Sequence, residues 1–204
     1  MHLTRDPFNI IVAGVGGQGN ILASEMIATT ATEAGYNVVV GETYGASQRG
    51  GAVMSHIRIS TRADYGPLIP QGEADIILAF EPLEAWRVAM DYGNPETELF
   101  VNLQKNYPIT ALSGEQPYPD EAKLLADVDE LVGRMRALQA TELARELGEP
   151  KAQNLVMVGV LAGSGLLPLE PQAFEQVIAD TFKGDQRELS LLAFRAGVRH
   201  EWNG

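Results

Sequence analysis

The sequence contains no cysteine in 204 residues, which closes several lines of chemistry at once. Without thiols there is no disulfide, no cysteine nucleophile and no thiolate-ligated iron–sulfur cluster. Histidine is scarce as well: His2, His56 and His200 are the only three. They show no H-x-x-x-H spacing, so no metal site is expected. Long apolar runs are missing, and no stretch approaches the roughly 18–20 uncharged residues of a spanning helix. No membrane association is expected, and the amino terminus lacks a signal-peptide pattern, so the chain reads as soluble and cytoplasmic. Positive charge is in deficit, with 15 basic against 27 acidic side chains and a net charge of −12. An acidic surface repels phosphate backbones, which argues against nucleic acid as a partner.

What is present is an α/β pattern. Phe8-Asn9-Ile10-Ile11-Val12-Ala13 is a β-branched apolar run of the kind buried in a parallel sheet. A helix follows to about Ala34, with Leu22, Met26, Ile27 and Ala31 near one stripe and Gly35 as the stop. Val38-Val39-Val40 then completes a β-α-β unit. From Ala52 to Ser60, Val53, Ile57 and Ile59 alternate with His56 and Arg58, as in a half-buried strand with His56 on its polar face. Asp75–Phe80 and Leu99–Asn102 read as further strands, and Pro82 opens a helix between them. The proline-bearing stretch 103–120 reads as irregular, with room for one short strand. A helix near 120–127, a strand near 135–138 and a helix near 140–147 follow. Residues 154–162 are apolar all round, which fits a core helix or a subunit interface, and two amphipathic helices end the chain. The expectation is one domain over 1–204, a Rossmann-like, doubly wound, mostly parallel sheet with C-terminal helices.

Gly14, Gly16 and Gly19 form G-x-G-x-x-G directly after a strand and before a helix. Glycines there let backbone N–H groups approach an anion at a helix amino terminus. They serve close helix–strand packing equally well, so both readings stay open. Gly17 and Gln18 fill the positions between, and Gln18 can both donate and accept hydrogen bonds. Glu42 stands about where a ribose-binding carboxylate would sit. An NAD-binding dehydrogenase or a nucleotide-binding regulatory module is therefore an alternative. No Tyr-x-x-x-Lys pair or separate substrate domain supports the former.

Gly14-Val15-Gly16-Gly17-Gln18-Gly19, with Glu42-Thr43-Tyr44-Gly45-Ala46-Ser47-Gln48-Arg49-Gly50-Gly51, resembles the gamma-type domain of pyruvate/ketoisovalerate:ferredoxin oxidoreductases. Pro67–Pro70, Gly72–Asp75 and Ala79-Phe80-Glu81-Pro82-Leu83-Glu84-Ala85 are similar to the indolepyruvate:ferredoxin branch, whose small beta subunit the chain looks most like. Residues 103–135 carry little of the likeness. The resemblance implies a hetero-oligomer that decarboxylates a 2-oxoacid oxidatively to an acyl-CoA and passes electrons to ferredoxin. It also implies that thiamine diphosphate, its Mg ion and the iron–sulfur clusters reside on a large partner subunit, leaving this chain inactive alone. The only Gly-Asp pair, Gly184-Asp185, is followed by Gln186 and so lacks a thiamine-site G-D-G. On this reading the two glycine loops face the partner's active site, enclosing substrate or receiving coenzyme A. Arg49 is the catalytic candidate, a guanidinium suited to a carboxylate or phosphate, or else a solvated or structural ion-pair residue. Tyr44, Ser47 and Gln48 would add hydrogen bonds to those of Gly14, Gly16, Gly17, Gln18 and Gly19. Glu81 and Glu84 read as structural at a helix start, and Trp86 and Trp202 as packing residues.

Overall fold

The apolar run Ile10–Ala13 becomes part of a central strand because its side chains need cover on both faces. In the computed structural model, which describes residues 3–44, 51–63, 65–107 and 118–202, that strand is β1 (Phe8–Val15), buried at every position. The other strands are β2 (Asn37–Tyr44), β3 (Ala52–Ser60), β4 (Ile76–Ala79), β5 (Glu98–Asn102) and β6 (Arg134–Leu138). They make one sheet in the order β2-β3-β1-β4-β5-β6. β1, β4, β5 and β6 pair in parallel, while β3 is antiparallel to both neighbours, with Ile11 opposite His56 and Gly41 opposite His56.

The helices are α1 (Asn20–Glu33), α2 (Pro82–Tyr92), α3 (Glu121–Leu131), α4 (Ala140–Glu146), α5 (Gln153–Gly163), α6 (Pro171–Thr181) and α7 (Gly184–Val198), with a 3-10 turn at Pro150–Ala152. They cover both sheet faces. Ile10 and Val12 of β1 share one apolar cluster with Ile27 of α1, Val158 of α5, Phe174 of α6 and Phe194 of α7. Ile11 and Ala13 point the other way, into a cluster with Ala85 and Val88 of α2 and Val128 of α3. The period-two alternation of a strand thus feeds two cores. Among the described residues no helix is long and apolar enough to cross a membrane.

The segment at 154–162 is a core helix. Its Gly159 lies so close to α7 that an added Cβ would meet the Phe194 carbonyl at 2.0 Å, and Gly197 would meet that of Val156 at 2.1 Å. Trp202 packs at 5.9 Å on Phe100 with the Arg136 guanidinium beside both rings. Trp86 joins the α2 core, so both tryptophans pack as their setting suggested.

Two expectations are corrected. β2 is not the sheet neighbour of β1: β3 lies between them. The loop 45–51 is too short for a parallel crossover, which needs a dozen residues or more, so β2 and β3 close as a hairpin and β3 inserts antiparallel. His56 is not on a polar face but fully buried. An interior strand covered on both sides has no polar face; the ring lies edge-on to Tyr92 at 5.4 Å, and its Nδ1 accepts from the Ile69 N–H at 3.3 Å. Burial lowers its pKa, and the nearby Arg58 charge adds to that.

Candidate functional site

β1 passes through α1 on one face towards β2, whereas β4 passes through α2 on the opposite face to β5. The connections diverge between β1 and β4, and such a switch point opens a crevice at the carboxyl ends of the strands. The glycine loop lies there. Gly17 and Gly19 take φ of 100° and 86°, a left-handed backbone that glycine adopts without a Cβ penalty. Gly19 then stands as the N-cap of α1, leaving backbone N–H groups of the first turn without a side-chain cap.

Gln18 has a defined task in this arrangement. Its Oε1 accepts from Val15 N at 2.7 Å and its Nε2 donates to the Phe80 carbonyl at 3.0 Å, so a buried amide straps β1 to β4 across the switch point. Gly14 makes room for it: a Cβ there would lie 2.7 Å from Gln18 Oε1, 2.7 Å from Asn20 Oδ1 and 2.8 Å from Phe80 Cβ. Gly19 is likewise close-packed, with Asn154 Nδ2 at 2.6 Å from its would-be Cβ. Gly16 donates its N–H to the Gly51 carbonyl at 3.0 Å, tying the loop to the start of β3.

Above the strap is a cleft of about 530 Å³, walled by Gly16–Gly19, by Gln104, Lys105 and Asn106 after β5, and by Lys151, Gln153 and Asn154 at the start of α5. Its charged lining residues are Lys105 and Lys151. The Phe80 carbonyl also accepts from Asn102 Nδ2 at 3.5 Å, and the same amide donates to Thr141 Oγ1 at 3.0 Å and Gln153 Oε1 at 3.2 Å. Thr141 closes this buried set by donating to Gln153. Asn20 Oδ1 and Asn102 Oδ1 are buried without a protein partner.

The wall after β5 is held by charge. Lys105 Nζ pairs with Glu121 at 2.6 Å and lies 6.0 Å from the Tyr118 ring centroid. The hydrogen bond to Glu121 raises the ammonium pKa. Tyr118 donates its hydroxyl to Glu81, a buried carboxylate capping α2. Burial pushes Glu81 above the ordinary carboxylate range, and burial together with the Glu81 bond pushes the Tyr118 phenol up. Beside it, Glu84 is raised by burial, while Arg87, 2.7 Å away, pulls it down.

Of the residues singled out in the sequence, Gly16, Gly17, Gln18 and Gly19 meet at the cleft and Gly14 lies beneath it. Tyr44 closes β2, while its side chain and Ser47, Gln48 and Arg49 fall outside the described residues. Glu42 pairs across to Ser55 of β3 and, among the described residues, does not line the cleft. The interposed β3 removes the β1–β2 neighbourhood on which a ribose-binding carboxylate depends. Lys105, Asn106, Lys151 and Asn154 were missed. A signal existed for the first two, because Gln104-Lys105-Asn106 follows a strand at its carboxyl end. Lys151 and Asn154 carry no such local mark, since helix packing brings them in.

Residues 9–200 match the family described as pyruvate ferredoxin/flavodoxin oxidoreductase. The indolepyruvate oxidoreductase subunit IorB of Archaeoglobus fulgidus is 38% identical over 197 residues, covering 96% of each chain. Its counterpart in Methanothermobacter thermautotrophicus is 37% identical over 190 residues, covering 93% of this chain and 95% of that one. The fold matches that of 2-oxoglutarate:ferredoxin oxidoreductase from Magnetococcus marinus, solved with 2-oxoglutarate, coenzyme A and succinyl-CoA bound. That match has a TM-score of 0.73 at 24% identity, over 95% of this chain and 30% of that one. With a family match across nearly its whole length and curated relatives above a third identical, the chain belongs to the pyruvate ferredoxin/flavodoxin oxidoreductase family.

Proposed function

We propose that this chain is the small subunit of a cytoplasmic 2-oxoacid:ferredoxin oxidoreductase acting on indolepyruvate or another aryl 2-oxoacid. The observation that carries the reading is the 38% identity to an indolepyruvate oxidoreductase subunit across 96% of both chains. The large partner would hold thiamine diphosphate with Mg and the iron–sulfur clusters, and the cysteine-free sequence fits that division. Bound there, the thiamine cofactor supplies the electron sink for decarboxylation. Overall, the 2-oxoacid and coenzyme A give the acyl thioester and CO2, with two electrons passing to ferredoxin and the thiol proton released.

This chain's part is to bind and to enclose. Lys105, Lys151 and the N–H groups of the glycine loop give an otherwise acidic protein one local site suited to the phosphates of coenzyme A. Gln18 contributes by fixing the loop rather than by reaching the ligand, since both ends of its amide are engaged. Arg49, which lies outside the described residues, is the candidate for holding a carboxylate or phosphate bidentately, with Tyr44, Ser47 and Gln48 adding hydrogen bonds.

The test is reconstitution with the large subunit that co-purifies with the native chain, assaying coenzyme A-dependent ferredoxin reduction with indolepyruvate, pyruvate, ketoisovalerate and 2-oxoglutarate. The expected result is turnover only in the complex, highest with indolepyruvate. Arg49→Ala should lower kcat/KM by about 10- to 150-fold, the value of one charge-assisted hydrogen bond, with Arg49→Lys recovering part. Turnover by the isolated chain, or micromolar dinucleotide binding to it, would overturn the reading.

A further inference from the structure

Glu81 is an unusual residue to find capping a helix. An N-cap needs one short side-chain oxygen for the N–H two or three residues on, which is why Ser, Thr, Asp and Asn dominate there. Glu81 does cap α2, accepting from Glu84 N at 3.0 Å, but its greater length gives it a second reach. The Tyr118 hydroxyl also donates to the carboxylate, and the backbone N–H groups of Leu83 and Asn106 face it and favour its charged form. Two hydrogen bonds and two further N–H groups, from three parts of the chain, thus converge on one carboxylate.

One of these groups belongs to the cleft wall and another stands beside it. Asn106 lines the cleft directly, and Tyr118 lies against Lys105 and edge-on to Tyr107 at 5.2 Å. One residue earlier, the Phe80 carbonyl anchors Gln18 and Asn102 beneath the same cleft. The backbone at Phe80 therefore fixes the floor, and the side chain of Glu81 fixes the wall. We infer that Glu81 is a positioning residue: its carboxylate holds the Gln104–Asn106 wall, and with it Lys105, at the distance from the glycine loop that the ligand requires. The link to coenzyme A rests on the function proposed above; the link to the wall does not.

Burial supports the inference. A carboxylate whose pKa is raised by desolvation is costly to keep ionised, and a capping role alone is met by a neutral or shorter group. Glu84, also buried, is answered by Arg87 at 2.7 Å, whereas among the described residues Glu81 forms no ion pair and is answered by hydrogen-bond donors. The wall segment has no regular secondary structure of its own between β5 and residue 107, so its position depends on such side-chain ties.

Two substitutions separate the wall from the cap. Glu81→Asp keeps the charge and improves the cap but is one methylene too short to serve Asn106 and Tyr118 as well. Glu81→Gln keeps the reach; its carbonyl can cap, and Tyr118 can turn its hydroxyl to accept, but the charge that draws the Asn106 N–H is gone. Amide hydrogen exchange on the whole chain reads the wall without any ligand. We expect exchange across residues 103–107 to rise at least tenfold in both variants while β4 and α2 keep their protection. In the reconstituted complex, KM for coenzyme A should rise about tenfold in both, with kcat held within twofold. Unchanged exchange at 103–107 in Glu81→Asp would overturn the clamp and leave an ordinary cap. Loss of protection throughout α2 and β4 would overturn it too, by making Glu81 a general fold residue. If Glu81→Gln does not fold, Tyr118→Phe removes one tie alone, and its failure to loosen 103–107 counts against the inference. Faster exchange with unchanged coenzyme A kinetics would keep the clamp but remove coenzyme A from this cleft.

Discussion

At the amino ends of β1, β4 and β5 the chain spends its charges on itself, whereas at their carboxyl ends it leaves lysines and amides facing a cleft. Arg5 bridges Glu73 at 3.1 Å and Asp75 at 3.3 Å, and Asp75 in turn accepts from Asn9 N at 2.7 Å. Asp6 accepts from Ser60 Oγ and Thr61 Oγ1, each at 2.6 Å, and from Thr61 N at 3.1 Å. Arg58 is spent on Asn9 at 3.1 Å and on the Gly66 carbonyl at 3.0 Å. The opposite end is held by the amides of Gln18 and Asn102 and by the buried Glu81 side chain, keeps buried acceptors without partners among the described residues, and presents Lys105, paired at its edge with Glu121, and Lys151. Ion pairs satisfied internally locate a structural end. Preorganised donors with two lysines lining one cleft locate an end that waits for something charged.

If that division is right, the cleft end should be the less forgiving of added bulk and the more forgiving of lost charge. Gly14→Ala is the severest test. Its methyl would enter the space held by Gln18, Asn20 and Phe80, and overpacking of this kind costs about 1–3 kcal/mol. At this chain length that lowers Tm by roughly 2–4 °C for each kcal/mol, readable by calorimetry. A Gly14→Ala protein as stable as wild type would show that the strap is slack and that the glycine answers to a ligand, not to packing.

Much of this frame was legible in the sequence, and the reasons are local. The β1 run, the glycine turn, Pro82 opening α2 and the apolar α5 each carry their signal within a dozen residues. What escaped was set by partners distant in sequence. The place of β3 depends on a hairpin that outcompetes the parallel neighbour a β-α-β reading supplies. His56 alternates correctly with Ile57 yet is buried, because period two tells which side a residue faces and not whether that side is covered. Gln18 was read for its hydrogen-bonding capacity, but its second bond reaches a carbonyl 62 residues on. Glu81 showed only its helix-start position, since the donors that make it a hub come from a stretch without periodicity.

Asp6→Asn probes the other end and should cost less, about 1–2 kcal/mol, because one carbonyl oxygen remains to accept. The hydrogen bonds from Ser60 and Thr61 lower the Asp6 pKa below the ordinary range. A depressed folded-state pKa means stability that is present above the unfolded value and lost as pH falls through the folded one. The gap between wild type and Asp6→Asn in urea denaturation should therefore be full at neutral pH and shrink only in strong acid. Coenzyme A kinetics of the reconstituted complex should not move. A change in them would break the division between the two ends.

Lys105→Gln should have the smallest effect on stability and so tests the contrast most sharply. The Lys105–Glu121 pair is short but partly solvated, with 37% and 26% of the two side chains exposed. Exposed pairs contribute about 0–1 kcal/mol, so the melting temperature should barely shift. Binding should respond differently. An ammonium in the cleft attracts phosphate whether or not it also stabilises the fold, and its loss should raise KM for coenzyme A several-fold, on the order of one charge-assisted contact. Lys151→Gln should do the same with no change in Tm, because among the described residues Lys151 forms no ion pair. Both effects should fade at high salt, where screening weakens interactions between exposed charges. Glu121→Gln gives the reverse case: it releases Lys105 from its carboxylate, so affinity should hold or improve while stability falls slightly. The measurements are KM for coenzyme A at low and high salt in the reconstituted complex and Tm of each variant chain. A Lys105→Gln chain destabilised as much as Asp6→Asn, with coenzyme A kinetics unchanged, would make the cleft lysine one more structural ion pair and erase the difference between the two ends.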